Sequence, residues 1–204
     1  MKSSIYLIGP TFMIAMGLYA FENLLITFVL FYGWLAVISI RPGQLRKLGD
    51  FYKIKMGIIS GIFFYVTIVT GVSIFFNLLI DPENVETLLA KWKFTGVGLI
   101  LILIFINPFL EEMYWRGFIF ERIRLKRGKK EAVLYSAFFY TIYHVLTVLL
   151  LFQWPVNILI VLPVFIVGLY WGWLREKSGS LAAVTISHML ADAGIMTVYL
   201  LFIQ

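Results

Sequence analysis

Apolar runs long enough to cross a bilayer recur along most of this chain, and no other feature restricts its fold so strongly. Residues 4–40 are apolar over 37 positions, interrupted only by Glu22-Asn23. One helical crossing takes ~20 residues, so two helices with a tight turn near Glu22 fit that length. One long tilted helix is the competing arrangement. Further runs lie at 56–80, 95–120, 131–152, 158–174 and 181–203, and the polar segments 41–55, 81–94, 121–130, 153–157 and 175–180 between them read as loops. The expected fold is all-α: a polytopic membrane helix bundle of about seven transmembrane helices, six in the alternative, forming a single integral membrane domain over 1–204.

Composition agrees. Hydrophobic residues make up 61% of the 204 positions and charged residues 14%, far from the balance of a soluble globular domain. The net charge of +6 could suggest nucleic acid, but the basic residues are gathered in connections. Arg41, Arg46, Lys47, Lys53 and Lys55 lie in 41–55, six Lys or Arg lie in 121–130, and Arg175 and Lys177 lie in 175–180. The intervening connections are acidic overall or uncharged, which is the alternation of the positive-inside rule. The partner this predicts is a lipid bilayer and not nucleic acid, in a multi-pass cell-membrane protein with a cytoplasmic N-terminus. The apolar start is expected to be a retained span, since no small-residue cleavage site leads into a polar mature region. With no cysteine, neither a disulfide framework nor thiol chemistry is available.

Subtracting the loops leaves Glu22, Glu111, Glu112, Arg116, His144, His188 and Asp192 within or near apolar spans. Charges at mid-bilayer are costly and tend to face a cavity and a partner; the competing explanation is hydrogen bonding between packed helices. Depth separates the two. At ~1.5 Å per residue, Glu111 lies ~15 Å, His144 ~20 Å, His188 ~10 Å and Asp192 ~16 Å from the cytoplasmic ends of their spans. Groups from three helices thus reach one layer, which favours a single site.

Spacing suggests roles. Glu112 and Arg116 are four apart, which suits a buried structural pair. Glu111 points about 100° away from Glu112 and is free to act on water or substrate. Pro108 removes a backbone hydrogen bond and opens room beside it. His188 and Asp192 are four apart, so the carboxylate can orient the imidazole. Tyr140 stands four before His144 and can pack on it or bond to it. A buried carboxylate next to an imidazole can take a proton from water, and His188 could donate to a developing oxyanion. Together these describe hydrolysis of a carbonyl compound by activated water. Two His and two carboxylates could instead ligate zinc, but no HExxH spacing occurs and Glu112 is committed to Arg116; no metal or other cofactor is expected. Ser187 beside His188 is a poor nucleophile candidate, since neighbours on a helix diverge.

The run Glu111 to Arg116, EEMYWR, resembles the EExxxR motif of the CPBP family of intramembrane endopeptidases, which includes CAAX prenyl endopeptidases and bacterial bacteriocin-processing and immunity proteins. Tyr140 to His144 (YTIYH) looks like its second motif, FxxxH, and His188 to Asp192 (HMLAD) like its third, HxxxN or HxxxD. The motifs occur in family order, and the resemblance covers residues 95–203. It implies that Glu111 and His144 activate the attacking water while His188 and Asp192 line the oxyanion side. Tyr140 stands where the motif has phenylalanine. Asp192 stands where the prenyl endopeptidases have asparagine, and an ionised aspartate would repel an oxyanion; either it is protonated or it orients His188 and donates nothing. That substitution brings the chain nearer the prokaryotic branch.

The expected function is glutamate-dependent, metal-independent hydrolysis of peptide bonds in a peptide or membrane-protein substrate. The alternative is a non-proteolytic bacteriocin-immunity or partner-binding protein of the same fold. A proton relay or transporter is a third class, but no matching pair of broken helices marks two halves.

Overall fold

Asn23 sets the first break in the apolar sequence. It is extended (φ −139°, ψ 119°) and its side chain accepts a hydrogen bond from the Ile26 N–H, while Glu22 before it has φ 48°. The chain therefore reverses, and residues 4–40 form two helices, α1 (Ser4–Ala20) and α2 (Leu24–Ser39), in place of one long tilted helix. A computed structural model of the chain describes residues 4–40, 53–94 and 97–204. Among these the remaining helices are α3 (Ile54–Leu79), α4 (Pro82–Lys91), α5 (Val97–Arg127), α6 (Lys129–Leu151), α7 (Val156–Ser178) and α8 (Leu181–Phe202). No strand occurs among the described residues.

Five helices, α3 and α5 to α8, are long and apolar enough to cross a membrane, and α1 and α2 are shorter apolar helices. Among the described residues each of the seven expected runs thus holds a helix. The segment 81–94 is not the loop expected for it. Asp81 caps α4 by accepting from the Asn84 N–H, Pro82 occupies its first turn with Glu83, and Lys91 its last, an arrangement that suits both ends of the helix dipole. Nor is 121–130 a loop. Residues 121–127 continue α5, whose 31 residues span about 46 Å at 1.5 Å per residue, more than the ~30 Å hydrocarbon layer. Gly128, with φ 97°, alone turns the chain into α6.

The charge alternation matches the way the ends of the helices are grouped. Arg175 bonds Glu121 at 3.3 Å, Lys129 pairs with Glu176, and Lys53 approaches Gly179, so the described basic connections share one face. Of the expected basic loop, Arg41, Arg46 and Lys47 lie outside the described residues. At the opposite face Gln153 donates to Asp81, and Glu22, expected near a span, instead pairs with Lys91 at 2.9 Å, both half exposed.

Packing is inverted relative to a soluble protein. Val37, Leu78, Leu162 and Leu201 face outward, as lipid allows, while the stretch of α5 that carries Glu111, Glu112 and Arg116 is fully enclosed. Met113 to Phe120 of α5 are buried without a gap, surrounded by α2, α6, α7 and α8. Without a hydrophobic force between helices in lipid, close approach depends on small residues. A Cβ at Gly57 of α3 would fall 2.0 Å from the Ala183 carbonyl oxygen of α8. This contact sets the height of α8, and with it His188, against the rest of the bundle.

Candidate active site

The backbone of α5 is irregular on both sides of the acidic pair. Pro108 has no N–H to continue the α-helical ladder, and the preceding residues Ile102–Ile106 form a wide π turn closed by the Asn107 N–H on the Ile102 carbonyl. Asn107–Glu112 then return to α geometry, and Met113–Ile119 form a second π segment closed by the Phe120 N–H on the Trp115 carbonyl. Such π turns often mark functional sites in helices. Here they isolate a six-residue α segment on which Asn107 and Glu111 stand four apart, on one face, with Glu112 turned to the next.

His188 lies between the two glutamates. Its Nδ1 is 2.9 Å from Glu112 Oε1 and its Nε2 is 3.8 Å from Glu111 Oε2. A carboxylate only accepts, so Nδ1 carries the proton toward Glu112 and Nε2 is left facing Glu111. Asp192 Oδ1 is 3.5 Å and the Tyr140 hydroxyl 3.4 Å from the same Nε2. Glu112 is therefore more than the partner of Arg116. Its Oε1 accepts from Arg116 Nη1 at 3.0 Å as well as from His188, and Arg116 Nη2 donates to the Gly168 carbonyl of α7 at 3.0 Å. Arg116 also lies over the Tyr140 ring, 4.6 Å from its centroid, so this buried cation is held by ions, dipoles and a π face together.

His144 is placed differently from its neighbours. Its Nδ1 donates to the Tyr140 carbonyl at 2.9 Å, which leaves Nε2 with the free lone pair. Among the described residues no hydrogen bond or ion pair joins it to Glu111. The link runs through Tyr143, whose ring centroid is 4.3 Å from that of His144 and whose hydroxyl stands beside the Glu111 carboxyl. Among the described residues Glu111 Oε2, Glu112 Oε2 and the Tyr143 hydroxyl are all buried without a hydrogen-bond partner. Buried polar atoms are normally satisfied, so a polar ligand that reached this cluster would gain hydrogen bonds there.

Three side chains of this cluster were not singled out from the sequence. Asn107 donates through Nδ2 to Asp192 Oδ2 at 3.3 Å; its signal was a second polar residue one turn from Glu111 in an apolar run. Tyr143 was legible only as the neighbour of His144. Trp171 of α7 stacks on His188 with centroids 3.9 Å apart and planes at 28°, and nothing in its local sequence marks it. Ser187 diverges from His188, as expected: its hydroxyl accepts from Trp171 Nε1 at 3.1 Å and meets Ser60 at 2.9 Å. Ser60 also lines an apolar groove of about 430 Å³ between α3 and α7, with Met56, Ile59, Phe63, Phe64, Tyr170 and Trp173. Ile59, Phe63 and Trp173 of its lining are exposed on the apolar flank of the bundle.

Residues 92–194 match the family model of the type II CAAX prenyl endopeptidase Rce1-like proteins. No curated protein and no solved structure matches the chain. The match spans α5 to α8 and carries every group around His188, and with the all-helical membrane architecture it establishes that this chain belongs to the Rce1-like type II CAAX prenyl endopeptidase family of membrane proteases.

Proposed function

We propose that the protein is a glutamate-dependent intramembrane endopeptidase that works without a metal. The observation that carries this reading is the imidazole of His188 held between two glutamates in different states of engagement. Glu112 Oε1 is held by both Arg116 and His188, whereas Glu111 is held by neither at hydrogen-bond distance, its Oε2 standing 3.8 Å from His188 Nε2. Glu111 is then the group able to receive a proton from water, and His144 Nε2 is the second acceptor near it. The water oxygen bonds to the scissile carbonyl carbon, the carbonyl π pair moves onto oxygen, and the proton passes to Glu111. His188 Nε2, when protonated, donates to that oxyanion. Collapse breaks the C–N bond, and the proton held by Glu111 goes to the leaving amine.

Two further features support the reading. His188 Nδ1 and Glu112 are bonded to each other, so two of the four ligands that zinc could have used are committed elsewhere. The lateral groove ends two side chains from His188, which suits a substrate that arrives through the membrane. The grouped basic ends support a cytoplasmic location for the face above this machinery, by the positive-inside rule.

The test is cleavage of internally quenched CAAX peptides, one prenylated and one not, by purified protein in proteoliposomes. The parent should cleave at least one. Glu111→Gln should lose on the order of 10³-fold or more in kcat, as expected when a general base is removed from a site, with its thermal midpoint kept. Equal rates for Glu111→Gln and parent would refute the mechanism; a folded parent that cleaves neither peptide would favour a binding or immunity role for the same fold.

A further inference from the structure

The Asn107 amide is not used in the mechanism above, yet it touches Asp192, the residue that fits the oxyanion side least well. We infer that Asn107 is a catalytic residue, whose amide supplies the hydrogen-bond donor on the oxyanion side, with Asp192 as the acceptor that aims it. The inference rests on the proteolytic reading.

Asp192, when ionised, cannot serve as that donor itself. An ionised carboxylate accepts only; Oδ2 accepts from Asn107 Nδ2 at 3.3 Å, and Oδ1 lies 3.5 Å from His188 Nε2. The orientation of the amide follows from the same fact, since its carbonyl oxygen would repel the carboxylate and its nitrogen does not. An amide nitrogen carries two hydrogens. One goes to Asp192, and among the described residues the Asn107 side chain makes no other hydrogen bond. Position supplies the rest. Asn107 and Glu111 are four apart within the short α segment Asn107–Glu112, so their Cβ atoms are about 5–6 Å apart on one face. Donor and base therefore flank one small volume, as attack on a carbonyl requires. The backbone is fixed there too, because the Asn107 N–H closes the π turn on Ile102.

The competing explanation is that Asn107 and Asp192 only pin α5 to α8, as polar pairs do in membranes. A pinning bond would show in stability and leave kcat alone. Removing one oxyanion donor lowers kcat about 10²–10³-fold, with KM little changed. The isosteric variants separate the two. Asn107→Asp sets two carboxylates against each other and removes the amide, so its kcat should fall at least as far as that of Asn107→Ala. The exchange Asn107→Asp/Asp192→Asn restores one amide and one carboxylate to the same pair, and should recover at least about tenfold in kcat over Asn107→Asp, since the amide still lines the site.

The experiment measures kcat and KM on the quenched CAAX peptides in proteoliposomes for Asn107→Ala, Asn107→Asp and the exchange variant, beside Glu111→Gln and with thermal midpoints in detergent. Asn107→Ala with kcat within about threefold of the parent overturns the inference. So does an exchange variant no faster than Asn107→Asp, which decides the matter even if Asn107→Ala fails to fold. If Glu111→Gln keeps parental activity, or the parent is inactive, the proteolytic reading itself has failed; if Glu111→Gln is dead and Asn107→Ala is not impaired, only the role of Asn107 has.

Discussion

Replacing Glu112 tests whether one carboxylate oxygen serves both Arg116 and His188. Glu112, Arg116 and His188 are at most 2% exposed, and Glu112 Oε1 accepts bonds of 3.0 and 2.9 Å from the other two. In Glu112→Ala the guanidinium keeps only the Gly168 carbonyl and the Tyr140 and Trp171 ring faces. Breaking a buried pair by removing one member costs about 3–5 kcal/mol, and in a chain of this size each kcal/mol moves the midpoint by roughly 2–4 °C. A fall of roughly 6–20 °C is therefore expected. Glu112→Gln keeps the volume and one accepting oxygen but loses the charge. The step from charged to neutral hydrogen bonds is about 1–2 kcal/mol, or roughly 2–8 °C. Its kcat should still fall on the order of tenfold or more, because His188 loses the carboxylate that fixes its tautomer. The paired change Glu112→Met/Arg116→Met removes both charges and should regain part of the stability but none of the cleavage. Thermal unfolding in one detergent, followed by intrinsic tryptophan fluorescence, measures the first effect, and the quenched-peptide assay the second. A Glu112→Ala midpoint within about 2 °C of the parent, or a Met pair that cleaves as well as the parent, would refute this account of the shared oxygen.

Gly57→Ala should lower the thermal midpoint, since its Cβ would meet the Ala183 carbonyl oxygen at 2.0 Å and overpacking costs about 1–3 kcal/mol. Gly71→Ala on the same helix, with nothing within 4 Å, should be neutral or slightly stabilising; equal effects at the two glycines would contradict the packing argument. Activity should survive chelators, because Glu112 and His188 are bonded to each other; activity lost to chelator and restored by zinc would move the site to metal catalysis.

The family to which the chain belongs and the residues around His188 came to light by different routes. EEMYWR, YTIYH and HMLAD are local strings, and their order along the chain was enough for the resemblance. The i, i+4 spacings likewise anticipated the Glu112–Arg116 pair and the approach of Asp192 to His188, because residues on one helix keep a fixed geometry whatever surrounds them. The same rule, together with the Asp81-Pro82 cap, marks 82–91 as a helix, although the polarity of the segment resembles that of a loop.

Membership of the membrane-bundle class, the approximate place of each apolar helix and the grouping of basic ends on one face follow from the sequence alone, since lipid leaves a long apolar segment no other way to satisfy its backbone and charge distribution orients it. Which atoms meet between helices was decided only by the tertiary structure. That Glu112 turns to His188 as well as to Arg116, that His144 reaches Glu111 only by way of Tyr143, and that Asn107 and Trp171 belong to the cluster depend on how α5, α6, α7 and α8 are rotated and raised against one another. Those rotations are set by contacts such as Gly57 on the Ala183 carbonyl and by two π turns in α5. Each joins residues far apart in the chain or shifts the helical register by a fraction of a turn, and no spacing within a single segment encodes either.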